Sequence, residues 1–195
     1  MLSHKKSLNI LRKTDALLEG HFVLSSGLHS SKYIQCAKLL SYPHLAEKIC
    51  KSLARKIKKN FTKFDLILSP AMGGIIIGYE IGRILKKETI FCERVKGKFT
   101  LRRGFKIRKG SKVIIIEDVI TTGKSSIECV KLIKKAKAKL VGFAAIIDRS
   151  NKRNLKIKNE IISHLKIDVP VFNKNQIPDS LKHIPISTPG SRFTK

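Results

Sequence analysis

Between residues 43 and 149, short apolar runs alternate with longer segments in which apolar residues recur every three or four positions. The short runs predict buried β-strands, and the longer segments predict amphipathic α-helices. The predicted strands cover residues 65–69, 89–94, 112–118 and 139–149, and the predicted helices cover residues 43–60, 73–87 and 125–137. This alternation predicts an α/β fold with a central, mostly parallel sheet that helices cover on both faces.

The two ends of the chain carry weaker patterns. Leucines with helical spacing predict a helix over residues 7–18, and residues 21–36 predict two extended segments around a turn that contains Gly27. Residues 160–167 favour one further strand or helix. No repeat or linker divides the chain. We therefore expect one domain over residues 1–195, with an N-terminal segment 1–42, a core 61–150 that carries the ligand loops, and a C-terminal segment 151–195.

The composition excludes several classes of protein. Hydrophobic residues make up 42% and charged residues 28%, which is unlike a disordered chain or a disulfide-rich miniprotein. No apolar run approaches the roughly 18 residues of a membrane span, and the N-terminus lacks the pattern of a signal peptide. The four cysteines form no CxxC pair, which favours free thiols and a cytoplasmic location.

The net charge is unusually high. The chain has 41 basic and 14 acidic residues, a formal charge of +27. This charge is compatible with a nucleic-acid surface, an anionic substrate, or a surface that is simply rich in lysine. Lysines spread along outer helix faces, with 6% aromatic residues and no Trp, favour the third explanation. Charge alone does not decide the function.

One strand end carries unusual chemistry. The predicted strand 112–118 ends in Glu117 and Asp118, and the chain then turns through Thr121–Ser125 into a helix. Amides at a helix N-terminus, together with hydroxyl groups, form a cradle for phosphate. The adjacent carboxylates suit ribose hydroxyls or a hydrated Mg²⁺. The segment therefore predicts a site for a phosphorylated sugar, with an ordinary helix cap as the alternative, and it lacks the GxxxxGK[ST] pattern of a P-loop.

The same segment, IIIEDVITTGKS, resembles the phosphoribosyl diphosphate signature of the type I phosphoribosyltransferases. Within that family the chain resembles the orotate phosphoribosyltransferases of a bacterial branch, almost from end to end. GHFVLSSGLHSSKYIQC (20–36) resembles the N-terminal substrate segment of these enzymes, SPAMGG (69–74) resembles their diphosphate-binding loop, and CERVKGKFTLRRGF (92–105) resembles their mobile catalytic loop. DRS (148–150) and PGSR (189–192) are also similar.

The resemblance implies a type I phosphoribosyltransferase fold with a small N-terminal hood segment. It also implies transfer of ribose 5-phosphate from 5-phosphoribosyl 1-diphosphate to orotate, which yields orotidine 5'-monophosphate and diphosphate in pyrimidine (UMP) biosynthesis. The implied cofactor is Mg²⁺, held mainly by the substrate and not by direct structural ligands. The implied assembly is a homodimer in which the loop of residues 94–103 completes the neighbouring site, with neither membrane nor nucleic acid as a partner.

Site residues follow from the same resemblance, position by position. Phosphoribosyl diphosphate would contact Ala71, Met72, Gly73, Gly74, Glu117, Asp118, Val119, Ile120, Thr121, Thr122, Gly123, Lys124 and Ser125. Orotate would contact Tyr33, Ile34, Thr121 and Arg149. The catalytic set would be Arg94, Lys98, Arg102, Arg103 and Asp118. Ser25, Gly73 and Lys124 differ from residues that are common in the family.

Several alternatives remain at this point. A purine phosphoribosyltransferase would share the sugar site, although a neutral purine needs no cation such as Arg149. A regulator that senses phosphoribosyl diphosphate and binds nucleic acid would explain the charge, but the sequence shows no nucleic-acid-binding motif. Arg149 could be a surface cation, and residues 94–103 could be the solvated tip of a β-hairpin. The six histidines have no metal-ligand spacing.

Overall fold

The computed structural model describes residues 2–24, 26–151 and 154–189. The elements follow in this order: α1 (His4–Lys13), β1 (Leu17–Val23), β2 (His29–Ile34), α2 (Cys36–Leu40), α3 (Pro43–Asn60), β3 (Leu66–Pro70), α4 (Gly73–Leu85), β4 (Glu88–Val95), β5 (Lys98–Thr100), β6 (Lys112–Ile120), α5 (Lys124–Lys135), β7 (Lys139–Asp148), β8 (Ile161–Lys166), β9 (Val171–Phe172), α6 (Asp179–Lys182) and β10 (Ile186–Ser187).

The larger sheet has the strand order β5-β4-β3-β6-β7-β8. The strands from β4 to β8 pair in parallel, and only β5, at one edge, pairs antiparallel with β4. The prediction of a central, mostly parallel sheet is therefore confirmed. β6 lies in the interior of this sheet, between β3 and β7, so the end of this strand lies beside the ends of both neighbours.

Helices cover both faces of this sheet, as predicted. Ile114 and Ile116 of β6 pack in a core cluster with residues of α3 and α4. Val113 and Ile115 of the same strand pack in a second cluster with Cys129 and Ile133 of α5. Successive strand residues point to opposite faces, so a strand buried in both clusters carries an unbroken apolar run. No helix in the described ranges has both the length and the apolar character that crossing a bilayer requires.

The N-terminal segment forms part of a second sheet, with the order β10-β1-β2-β9. The two extended segments around Gly27 are confirmed, but the helix predicted over residues 7–18 is wrong beyond Lys13. Asp15 adopts a left-handed conformation (φ 54°), and Leu17 then pairs with Ile34 of β2. Leucines at 17 and 18 satisfy a helical pattern and a strand pattern equally well over so short a stretch. Residues 161–166 form a strand, β8.

Two glycines allow α4 to lie close to the sheet. A Cβ atom on Gly78 would lie 3.0 Å from Cβ of Ser69 and still closer to the Ser69 hydroxyl, and one on Gly82 would collide with the Thr89 side chain. The close approach fixes the short connection between β3 and α4, residues 71–72, near the end of β6. This connection belongs to the segment that resembles a diphosphate-binding loop.

We predict that Gly78→Ala lowers the free energy of unfolding by about 1–3 kcal/mol through overpacking, although alanine is the better helix former. Ser69→Ala should recover part of the loss in the double variant, because it removes the hydroxyl group that the new Cβ atom approaches most closely. Its removal breaks no hydrogen bond, since this hydroxyl group is buried without a partner among the described residues. Urea unfolding of the two single variants and the double variant measures both effects. Equal or higher stability of Gly78→Ala would show that α4 does not need this close approach.

Candidate active site

The turn between β6 and α5 forms a small cavity suited to an anion. Gly123 precedes the helix in a left-handed conformation (φ 70°), and a Cβ atom there would lie 2.7 Å from Cγ1 of Ile157. Only glycine fits that position without strain. The N-terminus of α5 lines the cavity, and its partial positive charge favours an anion. The amide of Lys124 donates to the hydroxyl group of Thr122 at 3.4 Å, and the amide of Ser126 donates to Glu117. The cavity has a volume of about 130 Å³ and is lined by Glu117, Val119, Ile120, Thr121, Thr122, Gly123, Lys124 and Ser125.

The acid pair lies at the base of this turn. Glu117 is buried, with 8% of its surface exposed, and the hydroxyl group of Ser126 donates a hydrogen bond to its Oε1. Burial raises the pKa of Glu117 to about 7, the Ser126 hydrogen bond opposes the shift, and the charge of Asp118 adds to it. Burial also raises the pKa of Asp118. The sequence did not predict Ser126 as a partner of Glu117. Its position in the first turn of the predicted helix, next to Ser125, could have indicated a place in the site.

The β3–α4 connection lies against Asp118. A Cβ atom on Gly73 would lie 2.5 Å from Oδ2 of Asp118, so the backbone of this loop approaches the carboxyl group closely. The amide of Ala71 donates to the carbonyl of Cys92 at 2.7 Å, which fixes the loop against β4. The structure thus brings together two of the predicted ligand segments, and it gives a steric reason for glycine at position 73 in this chain.

Arg149 lies in a second, larger cavity that shares Thr121 and Thr122 with the first. This cavity has a volume of about 560 Å³, and the segment 168–171 contributes to its lining. The Nε atom of Arg149 is buried and has no hydrogen-bond partner among the described residues. Burial lowers the pKa of the guanidinium, and Tyr33 acts in the opposite direction. Arg149 is therefore a half-buried cation beside the turn after β6, and its Nε donor has no acceptor within the described part of the chain.

The other predicted orotate contacts are placed differently. Tyr33 is partly exposed and close enough to Arg149 to influence its charge. Ile34, the next residue in β2, is 7% exposed and packs in the main core cluster. The residues of segment 168–171 were not predicted, because they lie in a region without a clear pattern. This segment is brought to the cavity by β9, which pairs with β2.

The segment that resembles a catalytic loop is a β-hairpin. β4 and β5 pair from Glu93 to Thr100, and the two-residue turn at Lys96 and Gly97 has positive φ angles of 47° and 77°. The local structure is therefore that of a β-hairpin, which the sequence left open for residues 94–103. Its role in catalysis stays a prediction.

The five cations of this segment have different surroundings. Arg94 pairs with Glu128 of α5 at 2.8 Å and lies over the Phe99 ring. Arg102 and Arg103 lie 3.9 and 3.3 Å from the carboxylate of Glu93. Lys96 and Lys98 are exposed, and neither forms an ion pair with a residue in the described part of the chain. These two lysines are the cations of the hairpin that remain free for a ligand.

The acid pair is the candidate for metal binding. In residues 2–24, 26–151 and 154–189, no three or more His, Cys, Asp or Glu side chains are grouped to hold a metal ion. Two neighbouring carboxylates supply the oxygen donors that Mg²⁺ prefers, and a partly hydrated ion would need the remaining donors from water or substrate.

Ser25 and residues 190–192 of the PGSR segment lie outside the described residues.

Comparisons with known proteins agree with this geometry. A family model described as "Phosphoribosyl transferase domain" matches residues 40–176. The orotate phosphoribosyltransferase of Erythrobacter litoralis (strain HTCC2594) is 42% identical over 193 residues, which cover 98% of this chain and 99% of that protein.

Solved structures show the same fold. The orotate phosphoribosyltransferase of Aeropyrum pernix matches with a TM-score of 0.69 and 22% identity, over 82% of this chain and 92% of that chain. The adenine phosphoribosyltransferase of Saccharomyces cerevisiae matches with a TM-score of 0.61 and 17% identity, over 81% of this chain and 99% of that chain. Because orotate and adenine phosphoribosyltransferases both share this fold, similarity of the fold does not distinguish which base a protein uses.

We predict that Glu117 makes the free protein less stable as the pH rises from about 4.5 to about 7. Because its folded pKa is raised above 4.5, the folded state binds more protons than the unfolded state in this window, so the free energy of unfolding falls as the pH rises. Urea unfolding between pH 4 and 8 should show a flatter dependence for Glu117→Gln than for the wild type.

Ser126→Ala provides the matched comparison. It removes the hydrogen bond that lowers the pKa of Glu117, so the loss of stability should continue to higher pH than in the wild type. Identical pH profiles for the wild type and Glu117→Gln would show that Glu117 ionises in the folded protein as it does in the unfolded chain.

Proposed function

The chain belongs to the phosphoribosyltransferase family and, within it, to the orotate phosphoribosyltransferases, and we infer that it transfers ribose 5-phosphate from 5-phosphoribosyl 1-diphosphate to orotate. The bond between ribose C1 and diphosphate breaks, and a bond between C1 and N1 of orotate forms. The products are orotidine 5'-monophosphate and diphosphate, an early nucleotide and its by-product in pyrimidine biosynthesis.

The observation that carries the choice of orotate is the position of Arg149. Its Nε is buried without a partner among the described residues, in the cavity that adjoins the phosphate cradle. A buried donor on a charged group is costly unless it is hydrogen-bonded, and a carboxylate is its strongest partner. Orotate carries a carboxylate beside the nitrogen that is to be ribosylated, whereas adenine and hypoxanthine carry none. The arrangement therefore supports orotate over a purine.

The sugar donor would bind across the ends of β3 and β6. The amides and hydroxyl groups of Thr121–Ser125 would hold the 5-phosphate, because they lie at the N-terminus of α5. Glu117 and Asp118 would accept hydrogen bonds from the ribose hydroxyls. The diphosphate would lie along residues 71–74, whose backbone approaches Asp118.

Departure of diphosphate leaves positive charge on the ribose and increases the negative charge on the leaving group. Lys98 is the leading candidate to stabilise that negative charge, because it is exposed and forms no ion pair with a described residue. Arg94, Arg102 and Arg103 would contribute after release from their carboxylate partners. We propose that Mg²⁺, held mainly by substrate oxygens, would neutralise part of the diphosphate charge, with Asp118 and Glu117 nearby to hold the ribose hydroxyls.

We propose that the enzyme is a homodimer. Met72, Ile76 and Tyr79 form an apolar row at the start of α4, with 82%, 54% and 67% of their surfaces exposed. Ile76 and Tyr79 also line a cavity together with Leu40 and Pro43, which extends the apolar face. So large an exposed apolar face favours association with another protein surface. Because Met72 belongs to the proposed diphosphate loop, a second copy on this face would lie beside the proposed site.

The remaining proposals concern organisation and location. One core cluster combines residues of the N-terminal segment, such as Leu17 and Ile34, with sheet residues such as Ile116, which supports a single domain over residues 1–195. All four cysteines are free and buried, which supports a reducing compartment such as the cytoplasm.

We predict that Arg149→Met reduces kcat/KM for orotate by about one to two powers of ten, because a hydrogen bond to a charged group contributes roughly 1.5–3 kcal/mol. The affinity for phosphoribosyl diphosphate, measured by calorimetry, should stay within a factor of two or so of the wild type. Arg108→Met is the matched control, since Arg108 is exposed and lies outside both cavities.

Assays of the wild type with orotate, uracil, adenine and hypoxanthine complete this test. Orotate should be the preferred acceptor. Preference for a purine, or equal loss of both substrates in Arg149→Met, would contradict the proposed role of Arg149.

We predict that Lys98→Ala lowers kcat by about a hundredfold, as expected for the loss of one group that stabilises the transition state. KM for both substrates should change little, because the negative charge on the leaving group is greatest in the transition state. Steady-state kinetics measures both constants, with Lys109→Ala as an exposed lysine control outside the hairpin. A raised KM with an unchanged kcat would assign Lys98 to substrate binding only.

A mixing experiment tests whether the hairpin acts across subunits. Asp118→Asn should be nearly inactive because it alters the sugar site. If the hairpin completes the neighbouring site, an equal mixture of Lys98→Ala and Asp118→Asn should regain about a quarter of wild-type activity, since random exchange gives one intact site in half of the dimers. No recovery after proven subunit exchange would mean that the hairpin serves its own subunit.

A further inference from the structure

A third cavity lies at the opposite end of the sheet from the catalytic site. It has a volume of about 660 Å³ and is formed by the C-terminal half of α3, the end of α4 and the connection at residues 61–64. These segments lead into the first residues of β3 and β4, Leu66 and Glu88, whereas the catalytic loops follow the strand ends. We refer to this feature as the basic cavity.

The lining of the basic cavity is strongly positive. Lys51, Arg55 and Lys58 lie four and three residues apart on α3, which places them on one face of the helix, and Lys86 and Lys87 follow α4. No acidic residue is among the described residues that line it. Lys51 pairs with Glu47 at 3.0 Å, and the other four cations form no ion pair with any residue in the described ranges.

Stabilisation of helix ends does not account for the whole cluster. Lys58 lies in the last turn of α3, where a cation interacts favourably with the helix dipole. Arg55 lies earlier in the helix, beyond the reach of that effect, and it has no acidic neighbour within ion-pair distance among the described residues. Apart from Lys51, the cations of the cavity therefore carry positive charge that no residue in the described ranges neutralises.

The floor of the basic cavity is apolar. Phe61, Ile84 and Leu85 are partly buried and line it together with Phe64. The Nζ atom of Lys87 lies 5.3 Å from the centre of the Phe64 ring, so one cation borders this floor. A ligand that matches the cavity would combine a flat, weakly polar ring with several negative charges, in a volume typical of small-molecule sites.

We propose that the basic cavity binds a nucleotide, with the base on the floor around Phe61 and the phosphates on Arg55, Lys58 and the lysines after α4. A nucleoside triphosphate satisfies both requirements, because it joins a planar base to a chain of three phosphates. An extended nucleic acid fits less well, since these five cations surround one concave site and do not form a continuous track. This site is separate from the proposed catalytic site and does not depend on the identity of the transferred base.

The test uses calorimetric titration of the full chain with UTP and ATP at low salt. The double variant Arg55→Glu/Lys58→Glu reverses two charges of the cavity, and Lys134→Glu/Lys135→Glu makes the same change in net charge at exposed positions near the end of α5. We expect the wild type and the α5 variant to bind nucleotide with similar affinity, and the cavity variant to bind it at least tenfold more weakly. Turnover of orotate at low nucleotide concentration should be similar in all three proteins, which also shows that each is folded.

Further titrations separate the possible ligand classes. Uridine and inorganic triphosphate should each bind at least tenfold more weakly than UTP, because each provides only half of the interactions. Equal binding of UTP by all three proteins, or equal loss in both charge-reversed variants, would overturn the proposal. Binding of inorganic triphosphate as tight as that of UTP, or cavity-dependent binding of a 20-nucleotide single strand in preference to UTP, would also overturn it. If the cavity variant does not fold, Arg55→Gln/Lys58→Gln replaces it, with the same criteria.

Discussion

Parallel pairing of β3, β6 and β7 brings the chemistry of this protein to one edge of a sheet. The segments that follow these strands are far apart in sequence, yet the loop after β3 lies against Asp118, and the amide of Arg149 donates to the carbonyl of Ile120 at 2.9 Å. No side chain of the site could create this arrangement by itself. It depends on the apolar residues of β6, which bury both faces of the strand and so fix where the strand ends.

The same burial makes the ligand-free site electrostatically unfavourable. Two carboxyl groups with raised pKa lie below the turn after β6, and a guanidinium donor of Arg149 lacks a protein partner among the described residues. These groups reduce the stability of the free protein, and they provide interactions that a sugar hydroxyl or a carboxylate can complete. Ser126 limits the cost by donating to Glu117, and the glycines at 73 and 123 leave room where side chains would collide. The site is therefore organised before the substrate arrives.

The sequence was most informative where local pattern and chemistry coincide. The strand 112–120 has a continuous apolar run that ends in two acids and a Thr-Thr-Gly turn, so its structure could be predicted, and the same residues carry the predicted contacts with phosphate and ribose. The leucine pattern predicts a helix at Leu17 and Leu18, where the structure has strand β1. The same pattern suits a strand equally well, and pairing with β2 decides between the two. The wall at residues 168–171 and the ion pairs of the hairpin arginines depend on contacts between distant parts of the chain. A single sequence contains no local signal for such contacts.

Arg149 and the turn after β6 adjoin in space but belong to different segments of the chain, and this division affects how new specificities can arise in the fold. The predicted sugar-phosphate contacts are concentrated after β6, whereas Arg149 follows β7 and the facing wall comes from residues 168–171. Under the proposed function, substitutions after β7 would change the cavity around Arg149 and leave intact the turn after β6, with its buried carboxyl groups. After gene duplication, substitutions at a few positions around Arg149 would then change the acceptor base. An ancestral scaffold of this kind could diversify through one half of its pocket and retain the other half as an inherited module.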